Sequence, residues 1–102
     1  MVALRKYKNK RIAIYGMGLT GCSTARALKK LGVQVLCWDD SIKVRKKIKN
    51  FNFPLNKFWL DKKSVDNIVV SPGIDISKCK IKNFLRKNLN KIITDLDLFF
   101  DL

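Results

Sequence analysis

The sequence predicts a single doubly wound parallel α/β sheet of about five strands, and three observations carry that expectation. Short β-branched apolar runs alternate with stretches in which apolar residues recur every three or four positions. The first run, Arg11 to Tyr15 (RIAIY), feeds directly into a glycine-rich turn, Gly16-Met17-Gly18-Leu19-Thr20-Gly21. The second run, Val33 to Trp38 (VQVLCW), stops at two acids, Asp39 and Asp40. The chain has 102 residues, room for one domain over 1–102 that buries roughly 65% of its extended surface.

Taken in order, Arg11 to Tyr15 reads as a buried strand ended by Gly16. After the glycines, Cys22, Ala25, Leu28 and Leu31 recur at intervals of three along one helix face, and Gly32 stands where a helix C-cap is expected. Val33 to Trp38 is the second strand. Ser41 can then cap a basic helix whose Val44 and Ile48 share a face. The first two strands joined through a helix require a right-handed crossover, which lays that helix across one sheet face. From Asn50 to Lys63 the apolar residues have no single period; a short strand near Phe51 to Phe53 is expected, then a loop or helical turn around Pro54. Asn67 to Val70 (NIVV) reads as a fourth strand ending in the tight turn Ser71-Pro72-Gly73. Ile81, Phe84, Leu85 and Leu89 suit a helix face, Lys91 to Thr94 (KIIT) a fifth strand, and Asp95 onward the start of another helix.

Composition narrows the chemistry. All eight acids are Asp, with no Glu and no His, so imidazole catalysis is excluded. Cys22, Cys37 and Cys79 form no C-x-x-C pair, and without histidine they complete no ordinary zinc site. They read as core or near-core residues in a reducing compartment, with the cytoplasm as the expected location. No apolar run is long enough to span a bilayer, and Met1 to Lys10 is followed by no signal-peptide h-region, so no membrane partner is expected. The net charge of +14 attracts polyanions in principle. Yet 17 of the 22 cations are Lys, accompanied by 8 Asn and 10 Ile, the pattern of a coding sequence drifting toward A and T. The cations are also dispersed, so nucleic acid is not the expected partner.

The glycine turn has the spacing G-x-G-x-x-G. Its first glycine permits a tight turn, its second lets the backbone approach a pyrophosphate, and its third lets the helix pack closely on the strand. Gly16, Gly18 and Gly21 fit these roles, and the helix beginning near Leu19 aims free N–H groups at the turn. Asp39 lies 21 positions beyond Gly18, where a carboxylate can accept hydrogen bonds from a ribose diol. On these residues alone a small NAD-binding domain of regulatory or dehydrogenase type remains open, with NADP disfavoured because the carboxylate would repel a 2′-phosphate. Ser71, Pro72 and Gly73 lie at the carboxyl end of another strand, hence on the same rim if the sheet is parallel. No catalytic or metal-ligating residue is assigned.

The ordered set Gly18-Leu19-Thr20-Gly21, Asp39, Ser71-Pro72-Gly73-Ile74 and Thr94-Asp95-Leu96-Asp97-Leu98-Phe99 resembles the N-terminal domain of the D-glutamate-adding Mur ligases of peptidoglycan synthesis, over nearly the whole chain. The resemblance implies a Rossmann-like domain that holds the uridine diphosphate end of UDP-N-acetylmuramoyl-L-alanine. It places Leu19, Thr20 and the loop glycines at the diphosphate and Asp39, Asp40 and Gly73 around the uracil. The sequence departs from the family at two neighbouring positions, with Asp40 in place of a threonine and Ser41 in place of an arginine. In the family enzymes ATP and Mg²⁺ serve a central domain whose P-loop follows soon after a segment like Asp97-Leu98-Phe99, and this sequence stops at Leu102. The expectation is a nucleotide-holding fragment with no cofactor of its own, whose partners are the UDP precursor and further ligase domains supplied in trans.

Overall fold

The computed structural model describes residues 7, 9–49, 65–72, 74–75 and 77–94. Among these residues four strands, β1 (Arg11–Tyr15), β2 (Gln34–Trp38), β3 (Asn67–Val70) and β4 (Ile92–Ile93), form one parallel sheet in the order β2-β1-β3-β4. The strand expected near Phe51 to Phe53, the turn around Pro54 and the helix from Asp95 lie outside the described residues. The run Lys91 to Thr94 contributes a two-residue strand rather than four, because a 3₁₀ turn at Leu89–Lys91 runs straight into it.

Ile12, Ala13, Ile14 and Tyr15 are all buried. A central parallel strand covered on both faces has no solvent side, so its sequence is a continuous apolar run rather than an alternation. Ile12 and Ile14 join Val35, Cys37 and Val69 on one face, under Ala25, Leu28 and Ile48 of the helices α1 (Leu19–Lys30) and α2 (Ile42–Lys49). Ala13 and Tyr15 join Ile68, with Leu36, Trp38 and Val70, on the other face, where Leu85 of the short helix α3 (Lys82–Lys87) packs. The register Ile14↔Cys37 and Ile14↔Val69 keeps the two sets apart across three strands.

Helix ends account for two departures from the expected apolar faces. Leu31 is the C-cap of α1 and 41% exposed. There Gly32 takes φ +77, its N–H donates to the Lys29 carbonyl and the Val33 N–H to the Leu28 carbonyl. This is a Schellman closure, which turns the chain away before Leu31 can reach the sheet. Leu89 is 63% exposed. Asn88 is buried in its stead: its Nδ2 donates to the Phe84 carbonyl at 2.8 Å, ending α3, and the 3₁₀ turn that follows carries Leu89 outward. Ser41 caps α2 as expected, its Oγ accepting from the Val44 N–H at 3.3 Å.

The topology fixes where a ligand can sit. From β1 the chain moves to β2 on one side and later to β3 on the other, so the switch point lies at the carboxyl end of β1. In open α/β sheets ligands bind in the crevice outside that point. Among the described residues no helix is long and apolar enough to cross a membrane.

Candidate functional site

The turn after β1 is built by three glycines with different constraints. Gly16 has φ +97, and a Cβ there would lie 2.7 Å from the Ser71 Cβ and 2.9 Å from the Ile74 Cγ1. The loops after β1 and β3 therefore touch across the switch point. At Gly21 a Cβ would lie 2.0 Å from the Gly16 carbonyl oxygen, so α1 sits directly against the turn. Gly18 is different: its φ is −74 and a Cβ there would meet nothing within 4 Å. Nothing among the described residues requires a glycine at that position.

Gly18 is also the N-cap of α1, with no side-chain cap and no acid in the first turn. The first backbone bond of the helix is from the Cys22 N–H to the Gly18 carbonyl, at 2.9 Å. The amides of Leu19, Thr20 and Gly21 precede that bond, at the positive end of a twelve-residue helix. Leu19 is 91% exposed and Thr20 is exposed. Between α1 and α2 a cleft of ≈ 350 Å³ opens beside them, lined by Met17, Leu19, Cys22, Arg26, Val44 and Lys47 among others.

The acids at the end of β2 are turned inward. Asp39 accepts from the Met17 N–H through Oδ2 at 2.8 Å and from the Ser41 N–H through Oδ1 at 2.9 Å. It clamps the glycine turn to the start of α2. Asp40 accepts the Tyr15 hydroxyl proton and the Lys80 N–H, the latter at 3.2 Å, both on Oδ2. Tyr15 is almost fully buried. Burial first, then the hydrogen bond to Asp40 and its negative charge, push the phenol pKa above its ordinary range and keep it protonated.

Thus Gly16, Gly18, Leu19, Thr20, Gly21, Asp39, Asp40 and Ser71 gather on one rim, with exposed Pro72 in the turn beyond Ser71. The Ser71 N–H donates to the Tyr15 carbonyl and the Ile74 N–H to the Ser71 carbonyl, each at 3.0 Å, closing the expected turn. Gly73 lies outside the described residues. Among the described residues the three cysteines form no disulfide. Cys37 is buried in the core and burial pushes its thiol up to about 12; burial also raises half-buried Cys22, against the opposing charges of Arg26 and Lys47.

The rim holds one feature that sequence reasoning missed. The Arg45 guanidinium lies 4.5 Å over the Trp38 ring, and its Nη1 donates to the Asp39 carbonyl at 2.7 Å. An aromatic at the end of a strand followed by an arginine in the first turn of the next helix is the signal that could have located it.

A parallel sheet with an uncapped helix N-terminus at its switch point is the construction of nucleotide-binding α/β domains. Comparison with known proteins narrows that class. Residues 10–93 match the family described as Mur ligase MurD-like, N-terminal domain. Over 96% of its length the chain is 34% identical to the UDP-N-acetylmuramoylalanine--D-glutamate ligase of Wolbachia pipientis wMel, covering 20% of that protein. It is 36% identical, again over 96% of its length, to the ligase of the same name from Wolbachia sp. subsp. Brugia malayi (strain TRS), covering 21% of it. With the like-named protein of Paramagnetospirillum magneticum it shares 38% identity over 72% of the chain and 16% of the relative. The chain belongs to the MurD-like Mur ligase family and corresponds to its N-terminal domain. It spans about a fifth of the length of these relatives.

Proposed function

We propose that this domain holds the uridine diphosphate end of UDP-N-acetylmuramoyl-L-alanine for a D-glutamate-adding ligase of peptidoglycan synthesis. The diphosphate sits on the amides of Leu19, Thr20 and Gly21, with Gly18 beneath it, and the uracil lies along the rim formed by Asp39, Asp40 and Ser71. The ATP-dependent steps, phosphorylation of the muramoyl-alanine carboxylate and attack by the D-glutamate amine, are assigned to the parts of the relatives that this chain does not span.

The observation that carries the reading is Gly18. Neither its φ nor any neighbour among the described residues requires glycine there. A backbone stripped of its side chain beside an uncapped helix N-terminus leaves room for an anion to approach closely. The NAD alternative is weaker, because the relatives that the chain matches are named for a UDP-linked substrate. Calorimetric titration with UDP-N-acetylmuramoyl-L-alanine and, separately, NADH tests the choice. The expected result is heat with the UDP precursor and none with NADH; no heat at millimolar precursor with folded protein refutes the proposal.

A further inference from the structure

At the rim, both carboxylates accept hydrogen bonds within the chain, Asp39 from Met17 and Ser41, Asp40 from Tyr15 and Lys80, and neither can donate to a base. Arg45 is the neighbouring side chain with donors left over. A guanidinium carries five N–H donors and no acceptor, and it remains charged at any physiological pH. Among the described residues its only hydrogen bond is the one to the Asp39 carbonyl. Stacking on Trp38 sets the plane of the group, and the bond to Asp39 sets its rotation in that plane. Asp39 in turn holds the Met17 amide of the glycine turn. The guanidinium and the glycine turn are thereby linked through a single residue, Asp39, on the rim where the reading above lays the base.

We propose that Arg45 is the specificity-determining residue of this nucleotide site, donating to the carbonyl oxygen at position 4 of a uracil ring. The assignment rests on the diphosphate reading above. A donor-only group matches a carbonyl oxygen and not an amino group. Uracil offers a carbonyl oxygen at position 4 where cytosine carries an amino donor, so the guanidinium meets an acceptor in one base and a competing donor in the other. A binding group left facing the wrong partner typically costs tenfold or more in affinity.

The test is a set of titrations with UDP, CDP and inorganic pyrophosphate on the wild-type chain, Arg45→Ala and Arg45→Gln, with circular dichroism confirming the fold of each. Arg45→Gln keeps a long planar group on Trp38 but offers both a donor and an acceptor, and it carries the test if Arg45→Ala does not fold. The wild type should prefer UDP over CDP by about tenfold. Both variants should reduce that preference to less than about twofold while pyrophosphate affinity stays within about twofold of wild type. A preference unchanged by the substitutions, or pyrophosphate affinity falling in step with UDP, overturns the assignment. Wild-type protein that binds pyrophosphate without preferring UDP overturns it while leaving the diphosphate reading standing. Binding of neither ligand overturns both.

Discussion

Replacing Gly21 by alanine should destabilise the domain although alanine is the better helix former. Gly21 is the third residue of α1, and the added Cβ would stand 2.0 Å from the Gly16 carbonyl oxygen. A comfortable C···O approach is about 3.3 Å, so helix or turn must retreat by about 1.3 Å. Neither can do so cheaply. Gly16 donates its N–H to the Trp38 carbonyl at 2.8 Å and abuts Ser71 and Ile74, while α1 is pressed onto the sheet through Ala25 and Leu28. Overpacking against backbone costs about 3 kcal/mol at the upper end of its usual range. Helix propensity returns about 1 kcal/mol. The net loss of about 2 kcal/mol corresponds to a melting temperature lower by roughly 8–16 °C in a domain of this size. Thermal and urea melts followed by circular dichroism read this directly. Gly21→Ala melting within about 0.5 kcal/mol of wild type would refute the reasoning.

Further outcomes follow from the rim and the core. Asp39→Ala should cost about 2 kcal/mol in urea melts, since two backbone donors lose a charged acceptor; Asp39→Asn, which can still accept one of the two bonds, should cost about half as much. Stability should also fall in alkali. Cys37 and Tyr15 both have folded-state pKa values raised by burial, so their contribution is complete below their unfolded values and is lost as pH rises. For Cys37 that window runs from the ordinary thiol value of 9.0 up to about 12. Urea midpoints measured across it should decline, and the decline should be shallower in Cys37→Ala.

The parts of this fold legible in the sequence are those set by local chemistry. β1 announces itself because a central parallel strand must be apolar on both faces. The Gly16 turn and the Ser41 cap follow from one residue's backbone or side-chain preference. What was not legible depends on partners distant in sequence. Nothing local says that Asp39 will turn toward the Met17 amide, 22 residues away, or that Asp40 will accept from Tyr15 and Lys80. The same holds for Arg45 crossing to Trp38. Leu31 and Leu89 fit their helix periods perfectly well as a pattern, yet the Schellman closure at Gly32 and the back-bond of Asn88 end each helix first.

The central claim is that Gly18 lacks a side chain for the sake of a ligand and not for the fold. The direct test is to compare wild type and Gly18→Ala in two measurements on the same preparations: a urea melt and a calorimetric titration with UDP. An N-cap loses some stability when glycine becomes alanine and regains a similar amount from the stiffer unfolded chain, so the melts should agree within about 1 kcal/mol. UDP affinity should fall by about tenfold or more as the methyl group enters the space above the helix amides. Unchanged UDP affinity in a folded Gly18→Ala chain, or a variant that fails to fold, would contradict the account.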